Sequence, residues 1–291
     1  MTDPGTQTKS ISVVITTYKR KHEYLDAAVE SVMKQTYPPV EIILVDDNGT
    51  GTEFQRSNEE AYAGKEKIVY IANDWNRGAQ YSRNAGILHS KGEFVAFLDD
   101  DDLWHPEKLE KQIRLFTKEE IGLVFCRGYT FRDNDLSVLR EYHGKGVFIK
   151  NPSFQDILDM DHIGSTTQAL VRKSCFDKAG MFDPDMPARQ DYEMWIRIMK
   201  YYIAAGVDEP LFYHRIHGGE QISKDKAKIL TAYETMLKKH KEDFRKNPKG
   251  KLHKEKIVAG YYRDRKQFVR AVLIMIRGML EYIFLSMQKR D

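Results

Sequence analysis

Four consecutive aspartates, Asp99, Asp100, Asp101 and Asp102, directly follow the apolar segment 93–98 and carry the strongest chemical signal in the sequence. Adjacent carboxylates repel one another at neutral pH, and a hard divalent cation such as Mg²⁺ or Mn²⁺ relieves that repulsion. Such a cation uses one or two protein carboxylates and completes its coordination with water and substrate phosphates. The alternative is an acidic, solvated loop in which one aspartate caps the next helix.

Two further apolar segments also end in polar residues. Thr16, Thr17 and Tyr18 lie at the end of segment 11–17, and Asp46 and Asp47 follow segment 40–45. In open α/β sheets the carboxyl ends of the strands form the ligand crevice. We therefore expect these residues and the four aspartates to converge at one edge of a sheet.

The elements that must position them alternate between apolar strands and amphipathic helices, which is typical of an α/β fold. The region 127–180 is less regular, and beyond residue 223 the pattern is wholly helical with a polar break at 247–250. The predicted strands are 11–17, 40–45, 67–71, 93–98 and 121–126, with short ones near 129–132 and 168–172. The predicted helices are 24–35, 78–88, 106–116 and 191–202.

Composition indicates a globular protein with enough apolar residues for a core, since 41% of the 291 residues are hydrophobic. The mean hydropathy is −0.57, and no long uncharged apolar stretch predicts a membrane-spanning helix. Residues 1–10 are polar and lack the apolar core of a signal peptide. The only two cysteines, Cys126 and Cys175, suggest a reducing compartment, so we expect a cytoplasmic protein.

Charge is distributed unevenly along the chain. From Lys238 onward there are 16 Lys and Arg against 6 Asp and Glu, while the rest of the chain is net acidic. A basic segment can contact nucleic acid or anionic lipid, or it can simply be a solvated helix surface. No zinc-finger spacing or RNA-recognition motif is present, so we expect no nucleic-acid partner.

Six segments, in this order and spacing, resemble glycosyltransferase family 2. The resemblance covers about residues 11–223 and implies a GT-A fold, with a mostly parallel central sheet flanked by helices. It also implies transfer of a sugar from a nucleotide-diphosphate donor with inversion at the anomeric carbon. We expect a flexible N-terminus (1–10), a catalytic domain (11–225) and a basic helical C-terminal extension (226–291). The segments are VVITTYKR (13–20), ILVDDNGT (43–50), NRGAQYSRNAGI (76–87), FVAFLDDDDLWHPEKL (94–109), RQDYEMWIRI (189–198) and YHRIHGGEQIS (213–223).

The resemblance assigns the aspartate run to metal and nucleotide binding. It implies that Asp101 is a direct ligand of Mn²⁺ or Mg²⁺, that Asp99 lies nearer the ribose as a second ligand, and that Asp100 belongs to the nucleotide site. His217 is a further candidate for metal or diphosphate contact, because its segment resembles the one that closes over the diphosphate. Arg215 and Ser223 have weaker support.

The same resemblance places the donor nucleotide, with a UDP-sugar favoured. The alternative for Thr16 and Thr17 is that they are ordinary strand residues. The alternative for Arg83 is an exposed helix position, and for Arg20 it is an exposed turn position. Asp46 and Asp47 could instead form an Asx turn. The resemblance implies that Thr16, Thr17 and Tyr18 lie beside the base. It also implies that Asp47 or Asp46, with Asp47 favoured, accepts a hydrogen bond from the base or ribose. Arg83 would contact the nucleotide, and Arg20 would contact phosphate.

Asp191 is the candidate catalytic base. In an inverting transfer a carboxylate accepts the proton of the acceptor hydroxyl as that hydroxyl attacks the anomeric carbon, and the family has Asp or Glu at this place. The alternative is an aspartate at a helix N-terminus, stabilised there by the helix dipole alone.

The segment 268–287 is apolar except for a few residues, and Arg270, Arg277 and Glu281 fall on one helical face. The remaining broad apolar face could contact a membrane peripherally, form a homo-oligomer or pack on the catalytic domain. We expect residues after Lys238 to be dispensable for chemistry.

The sequence therefore predicts a metal-dependent inverting glycosyltransferase. Its expected acceptor is a saccharide, a lipid-linked glycan or a protein, in cell-surface glycan synthesis at the cytoplasm or the inner face of the membrane. Two rivals remain. An aspartyl phosphatase-like enzyme would use Asp99 and Asp101, and a noncatalytic module would only bind the nucleotide sugar.

Overall fold

The structure is a computed structural model that describes residues 9–132, 135–142, 148–217 and 225–287. Its strands are β1 (Ile11–Thr17), β2 (Glu41–Asp46), β3 (Ile68–Ala72), β4 (Phe94–Asp99), β5 (Leu103–Trp104), β6 (Ile121–Arg132), β7 (Asp135–Tyr142), β8 (Leu170–Arg172) and β9 (Ile203–Ile216). Its helices are α1 (His22–Met33), α2 (Glu53–Tyr62), α3 (Ala79–His89), α4 (Lys108–Ile113), α5 (Phe154–Asp159), α6 (Cys175–Ala179), α7 (Gln190–Met199), α8 (Lys226–Lys239), α9 (Lys241–Lys246), α10 (Pro248–Asp264) and α11 (Phe268–Met287).

One mixed sheet joins these strands in the order β3-β2-β1-β4-β8-β6-β9-β5, with β7 paired to β6. The strands β1 to β4 are mutually parallel, with β1 between β2 and β4. Strand β8 then pairs antiparallel with both β4 and β6. The long strands β6 and β9 run parallel to each other.

The sheet separates two hydrophobic cores. Alternate residues of β1 point to opposite faces, so Val14 enters one core and Val13 and Ile15 enter the other. The first core contains residues of α3, α5, α6, α7 and the C-terminal helices, and the second contains residues of α1, α2 and α4. Because both faces of β1 and β2 are covered, these strands are continuous apolar runs.

Close packing of α3 on β1 depends on a glycine. A Cβ on Gly86 would overlap the side chain of Val14, so only glycine allows this approach. Arg83 lies one helical turn before Gly86 and therefore shares the face of α3 that is turned towards the sheet. This packing determines where the Arg83 guanidinium reaches the strand ends.

The predicted elements of the first 126 residues are present, and apart from the C-terminal end of β6 their ends differ from the prediction by at most three residues. Strand β6 extends through the predicted short strand at 129–132, and β8 covers most of the one at 168–172. The polar break is confined to Asn247, whose side chain caps α10 by accepting from Gly250 N. Helices α2, α5 and α6 and strands β5, β7 and β9 were not predicted.

The C-terminal extension is helical, as expected, but α8 to α10 are part of a core of the catalytic domain. Phe244, Val258 and Tyr262 are buried in the same cluster as Trp195 of α7. The buried Glu193 of α7 lies 2.9 Å from Lys239 Nζ and 3.0 Å from His240 Nε2. The expectation that residues after Lys238 are dispensable is therefore wrong, because removing them would open this core.

Among the described helices, none is both long enough and apolar enough to cross a membrane.

Phe244 tests the structural role of the extension. Truncating this fully buried side chain to alanine leaves a cavity and is expected to lower the free energy of unfolding by about 3 to 5 kcal/mol. The matched control is Phe268→Ala, because Phe268 is 59% exposed on α11 and its loss should change stability by less than about 0.5 kcal/mol. Chemical denaturation measures both. Equal stability of the two variants would contradict the shared core.

Candidate active site

The carboxyl ends of β1, β2 and β4 meet at one edge of the sheet, as the sequence predicted. The parallel registers place Thr16 beside Asp99 and Thr17 beside Asp46. The Asp47 amide also donates to the Thr17 carbonyl at 2.9 Å. Thr16 is half-buried, Thr17 is buried and Tyr18 is 43% exposed, so of these three residues Tyr18 presents the most surface to a ligand.

Asp46 is fully buried, and both its oxygens are occupied by groups of the protein. Oδ1 accepts from the backbone and side-chain nitrogens of Asn48, at 2.8 and 2.7 Å. Oδ2 accepts from Asn58 Nδ2 at 2.7 Å and from the Tyr70 hydroxyl at 2.8 Å. A carboxylate has about four acceptor positions, so Asp46 keeps none for a nucleotide. The geometry agrees with the Asx-turn alternative and argues against a direct nucleotide contact from Asp46.

Asp47 differs from its neighbour in keeping acceptor capacity. Its Oδ1 accepts from Asn73 Nδ2 at 2.7 Å and from Arg77 N at 2.8 Å, while Oδ2 accepts from Gly78 N at 2.8 Å. These bonds fix the loop that leads into α3. Among the described residues, three donors fill three of the roughly four acceptor positions of this carboxylate, so Oδ2 can accept one further hydrogen bond. Of the two aspartates, Asp47 is thus the one that can still accept from a ligand.

Asp99 at the end of β4 pairs with the Arg83 guanidinium, whose Nη2 lies 2.7 Å from Asp99 Oδ1. The Thr167 hydroxyl accepts from the Asp99 amide at 3.2 Å. The Arg83 side chain is only 8% exposed, and its Nη1 is buried without a hydrogen-bond partner among the described residues. A buried, unpaired guanidinium nitrogen is costly, so Arg83 is prepared to donate to an anionic or polar ligand.

Arg20 neutralises the middle of the aspartate run. Its Nε donates to Asp100 Oδ1 at 2.7 Å, and its Nη2 lies 3.0 Å from Asp101 Oδ2. Burial raises the pKa of Asp100 to about 7, the Arg20 charge opposes that rise, and the Asp101 charge adds to it. The left-handed conformation of Lys19, with φ of 47°, turns the chain so that Arg20 follows β1 directly into the acidic cluster.

Asp102 points away from the other three and connects the run to β9. Its Oδ1 lies 3.0 Å from His214 Nδ1 and accepts from the Arg215 amide at 3.0 Å. Burial raises the pKa of Asp102 to about 6, and His214 opposes the rise. Burial would lower the pKa of His214, but the hydrogen bond and charge of Asp102 outweigh it and raise that pKa to about 9. The two groups therefore form an ion pair at neutral pH.

Asp101 and His217 are the pair with the chemistry of a metal site. The distance between Asp101 Oδ2 and His217 Nε2 is 2.8 Å, and Asp100 Oδ2 is buried without a hydrogen-bond donor in the described part of the chain. Within residues 9–132, 135–142, 148–217 and 225–287, no group of three His, Cys, Asp or Glu side chains could alone hold a metal ion. A carboxylate and an imidazole fit Mn²⁺ or Mg²⁺ only with substrate oxygens and water completing the coordination.

Asp191 is at the start of α7, where its Oδ1 accepts from the Tyr192 amide at 2.7 Å. Burial raises the pKa of Asp191 to about 6, the Asp161 carboxylate adds to the rise, and Arg189 and Arg83 oppose it. The influence of Arg83 shows that Asp191 lies within electrostatic range of the nucleotide edge. Burial, followed by the charges of Asp102 and Asp191, raises the pKa of Tyr142, so this phenol is within electrostatic range of both carboxylates.

Several residues at this edge were missed or undervalued by sequence reasoning. Thr167 and Asp161 come from the irregular region 127–180 and carry no recognisable motif. His214 lies in the segment 213–223 but was given no role of its own. Arg215 was given weak support, yet it is 1% exposed and its Nε donates to the Asp101 carbonyl at 2.8 Å. Its only sequence signal was its place between His214 and His217. Ser223 lies outside the described residues.

Comparison with known proteins identifies the class. Residues 12–180 match the sequence model of the family described as "Glycosyl transferase family 2". The matched segment contains β1, β2, β4 and the whole aspartate run, and it spans more than half of the chain. This chain therefore belongs to glycosyltransferase family 2 and is a glycosyltransferase, which confirms the resemblance and sets aside the phosphatase and noncatalytic alternatives.

Two curated relatives show similar coverage. The chain is 29% identical to Escherichia coli "UDP-Glc:alpha-D-GlcNAc-diphosphoundecaprenol beta-1,3-glucosyltransferase WfaP" over 78% of this chain and 85% of the relative. It is 31% identical to "Putative teichuronic acid biosynthesis glycosyltransferase TuaG" of Bacillus subtilis (strain 168), over 72% of this chain and 81% of the relative.

The fold is also found in a solved structure. The crystal structure of S. aureus TarS 1-349 in complex with UDP-GlcNAc matches with a TM-score of 0.59 at 18% identity, covering 95% of this chain and 81% of that chain. At this identity the similarity concerns the fold alone. It confirms the predicted GT-A fold class with helices after the catalytic sheet.

Proposed function

We propose that this glycosyltransferase is a metal-dependent, inverting enzyme that takes its sugar from a UDP-sugar and acts in cell-surface glycan synthesis. The observation that carries the proposal is the convergence of Asp99, Asp100 and Asp101 with two arginines and His217 at the carboxyl edge of β1 and β4. Such an edge binds a ligand that is both polar and phosphorylated.

The nucleoside is proposed to bind over the ends of β1 and β2. Tyr18 offers an exposed ring beside the base, and Asp47 Oδ2 retains an acceptor position for a base or ribose donor. Arg83 Nη1 is the buried donor that such a ligand would satisfy. Asp46 acts indirectly in this account, because its four hydrogen bonds hold the β2 end in place.

The diphosphate is proposed to lie against Asp101 and Arg20. Asp101 and His217 would hold Mn²⁺ or Mg²⁺, with phosphate oxygens and water as the other ligands. Asp99, which pairs with Arg83, would lie at the ribose end and not be a third protein ligand. When bound, the cation would neutralise charge that develops on the leaving diphosphate. In its absence Arg20 supplies positive charge to the same carboxylates, so Arg20 becomes available to donate to phosphate oxygens when a cation binds.

Asp191 is proposed as the base that accepts the proton of the acceptor hydroxyl. A base is most effective when its pKa lies near the working pH, and burial together with Asp161 moves the pKa of Asp191 to about 6. Tyr142 is within electrostatic range of both Asp102 and Asp191, which indicates that the base lies near the aspartate run. Orientation of the two substrates at this edge supplies the rest of the catalysis.

The acceptor is proposed to be a lipid-linked glycan. The names of the two relatives support this: one is described as acting on GlcNAc-diphosphoundecaprenol with UDP-Glc, and the other as a teichuronic acid enzyme. A screen of UDP-, GDP- and dTDP-sugars for metal-dependent hydrolysis and thermal protection tests the donor. Protection by a GDP- or dTDP-sugar but not by UDP-sugars would overturn the UDP assignment.

Asp101→Asn tests metal-dependent donor binding. The amide keeps the size of the side chain but loses the charge that holds a cation, so UDP affinity measured by calorimetry should no longer increase when Mn²⁺ is added. Wild type should show that increase. Asp177→Asn is the matched control, because Asp177 is exposed on α6, and it should behave as wild type. If wild type binds UDP equally with and without Mn²⁺, the metal site is refuted.

Asp191→Asn tests the base separately from binding. Its turnover should fall by about a hundredfold to ten-thousandfold while donor affinity is retained, because the proton is accepted only during the attack. In wild type, turnover should rise with pH and level off above about 6, since only the ionised carboxylate is a base, and the variant should lack this inflection. Transfer close to the wild-type rate by a folded Asp191→Asn protein would exclude Asp191 as the base.

A further inference from the structure

The outward surface of α11 consists of large apolar side chains. At 100° per residue these side chains lie within a continuous arc of about 160°. Val269, for example, is 75% exposed and Leu280 is 63% exposed. The members of this outward face are Phe268, Val269, Val272, Leu273, Ile276, Met279, Leu280, Ile283, Phe284 and Met287.

The charged residues of the same helix lie along the edge of this outward face and pair with neighbouring helices. Arg277 Nη2 lies 3.2 Å from Glu255 of α10, Arg270 Nη2 lies 3.7 Å from Glu234 of α8, and Glu281 pairs with Lys251. A solvated surface helix exposes charged side chains where α11 exposes this apolar arc. The sequence predicted that Arg270, Arg277 and Glu281 share a face, and in the structure they border the outward apolar face, with the Arg270 and Arg277 side chains 59% and 70% exposed.

A basic groove adjoins the outward face. It lies between α10 and α11, has a volume of about 540 Å³, and contains Lys249, His253 and Lys256 beside Leu252, Ile257 and Tyr282. Tyr282 is one helical turn from Met279, so the groove borders the apolar arc. At the other end, the exposed Arg265 and Lys266 lie three and two residues before Phe268. Positive charge thus flanks the apolar face at two places.

Charge decides between the two kinds of occupant that an apolar face attracts. Two copies of this chain that met through α11 would bring equal basic rims together, and like charges repel. An anionic lipid surface attracts the same lysines and arginines while its acyl region covers the apolar side chains. A 20-residue helix with a charged border and an apolar face is suited to lie in the plane of such a surface.

We propose that α11 and the adjoining groove form a membrane-docking surface. The outward face inserts its side chains into the lipid interface, and Lys249, Lys256 and the Arg265–Lys266 pair contact anionic head groups. The inference stands on α10 and α11 alone and goes beyond the proposed transfer reaction. If that reaction uses a lipid-linked acceptor, this surface would bring the enzyme to the bilayer that contains the acceptor.

Cosedimentation of the full chain with vesicles tests the proposal. Wild type should bind vesicles of phosphatidylcholine and phosphatidylglycerol more tightly than vesicles of phosphatidylcholine alone, and added salt should weaken the difference. The double variant Ile276→Asp/Leu280→Asp should bind at least about a hundredfold more weakly, since two apolar side chains no longer insert. Lys256→Gln should bind about fivefold more weakly, as expected for one charge near an anionic surface.

The matched control is Leu88→Asp, because Leu88 on α3 is 68% exposed, close to Leu280, and lies outside the proposed surface. It should bind vesicles as wild type does. The UDP affinity of every variant is measured on the same samples. A change in vesicle binding with unchanged UDP affinity then concerns the docking surface and not the proposed donor site. Unchanged vesicle binding by the double variant would overturn the proposal. A wild-type dimer that does not bind anionic vesicles, and that the double variant converts to monomers, would overturn it in favour of a second copy.

Discussion

Compensation of negative charge at one edge of the sheet is the constraint on which the site depends. Parallel strands bring their carboxyl ends together, and two of these ends, those of β2 and β4, carry aspartates. Each carboxylate has a different partner: Arg83 of α3 for Asp99, Arg20 of the β1–α1 turn for Asp100, and His214 of β9 for Asp102. Asp101 is shared between Arg20 and His217. Without these partners, burial of several adjacent carboxylates would cost far more than a fold can offset.

This requirement explains much of the architecture. The cations come from three separate parts of the chain, so α3 must pack closely on β1, the chain must turn sharply after β1, and β9 must return to the edge. Gly86 permits the first and Lys19 the second. The third depends on the long parallel pairing of β9 with β6. The C-terminal helices then support α7, which carries Asp191, through the buried contacts of Glu193 with His240 and Lys239.

The first half of the fold could be predicted because its strands are buried on both faces and read as continuous apolar runs. Strand β9 could not be predicted, because Asp208, Glu209 and Pro210 interrupt its apolar pattern and its partners β6 and β5 are distant in the sequence. The location of the aspartates at strand ends was also predictable, because they directly follow these continuous apolar runs. Their partners were not, because a pair such as Arg20 with Asp100 depends on a left-handed residue and on tertiary packing.

The contrast between Asp46 and Asp47 shows that sequence also cannot predict which single oxygen atoms remain available to a ligand. The sequence presents two adjacent aspartates, and the family resemblance favours Asp47 without showing what occupies Asp46. Only the fold brings Asn58 and Tyr70 to Asp46 and so occupies its last acceptor positions. Likewise, the face shared by Arg270, Arg277 and Glu281 was visible as a helical pattern. Its position beside the outward apolar face depends on how α11 packs on its neighbours, where the two arginines pair with Glu234 and Glu255.

The central claim is that Arg20 occupies, in the free enzyme, the carboxylates that bind a cation when the donor is present. A crystal structure with Mn²⁺ and UDP, using the anomalous signal of manganese, tests it most directly. The account predicts a manganese peak coordinated by Asp101, with Arg20 moved from Asp101 onto a phosphate oxygen. Bound UDP with the Arg20–Asp101 ion pair intact, or a manganese peak remote from the aspartate run, would contradict it.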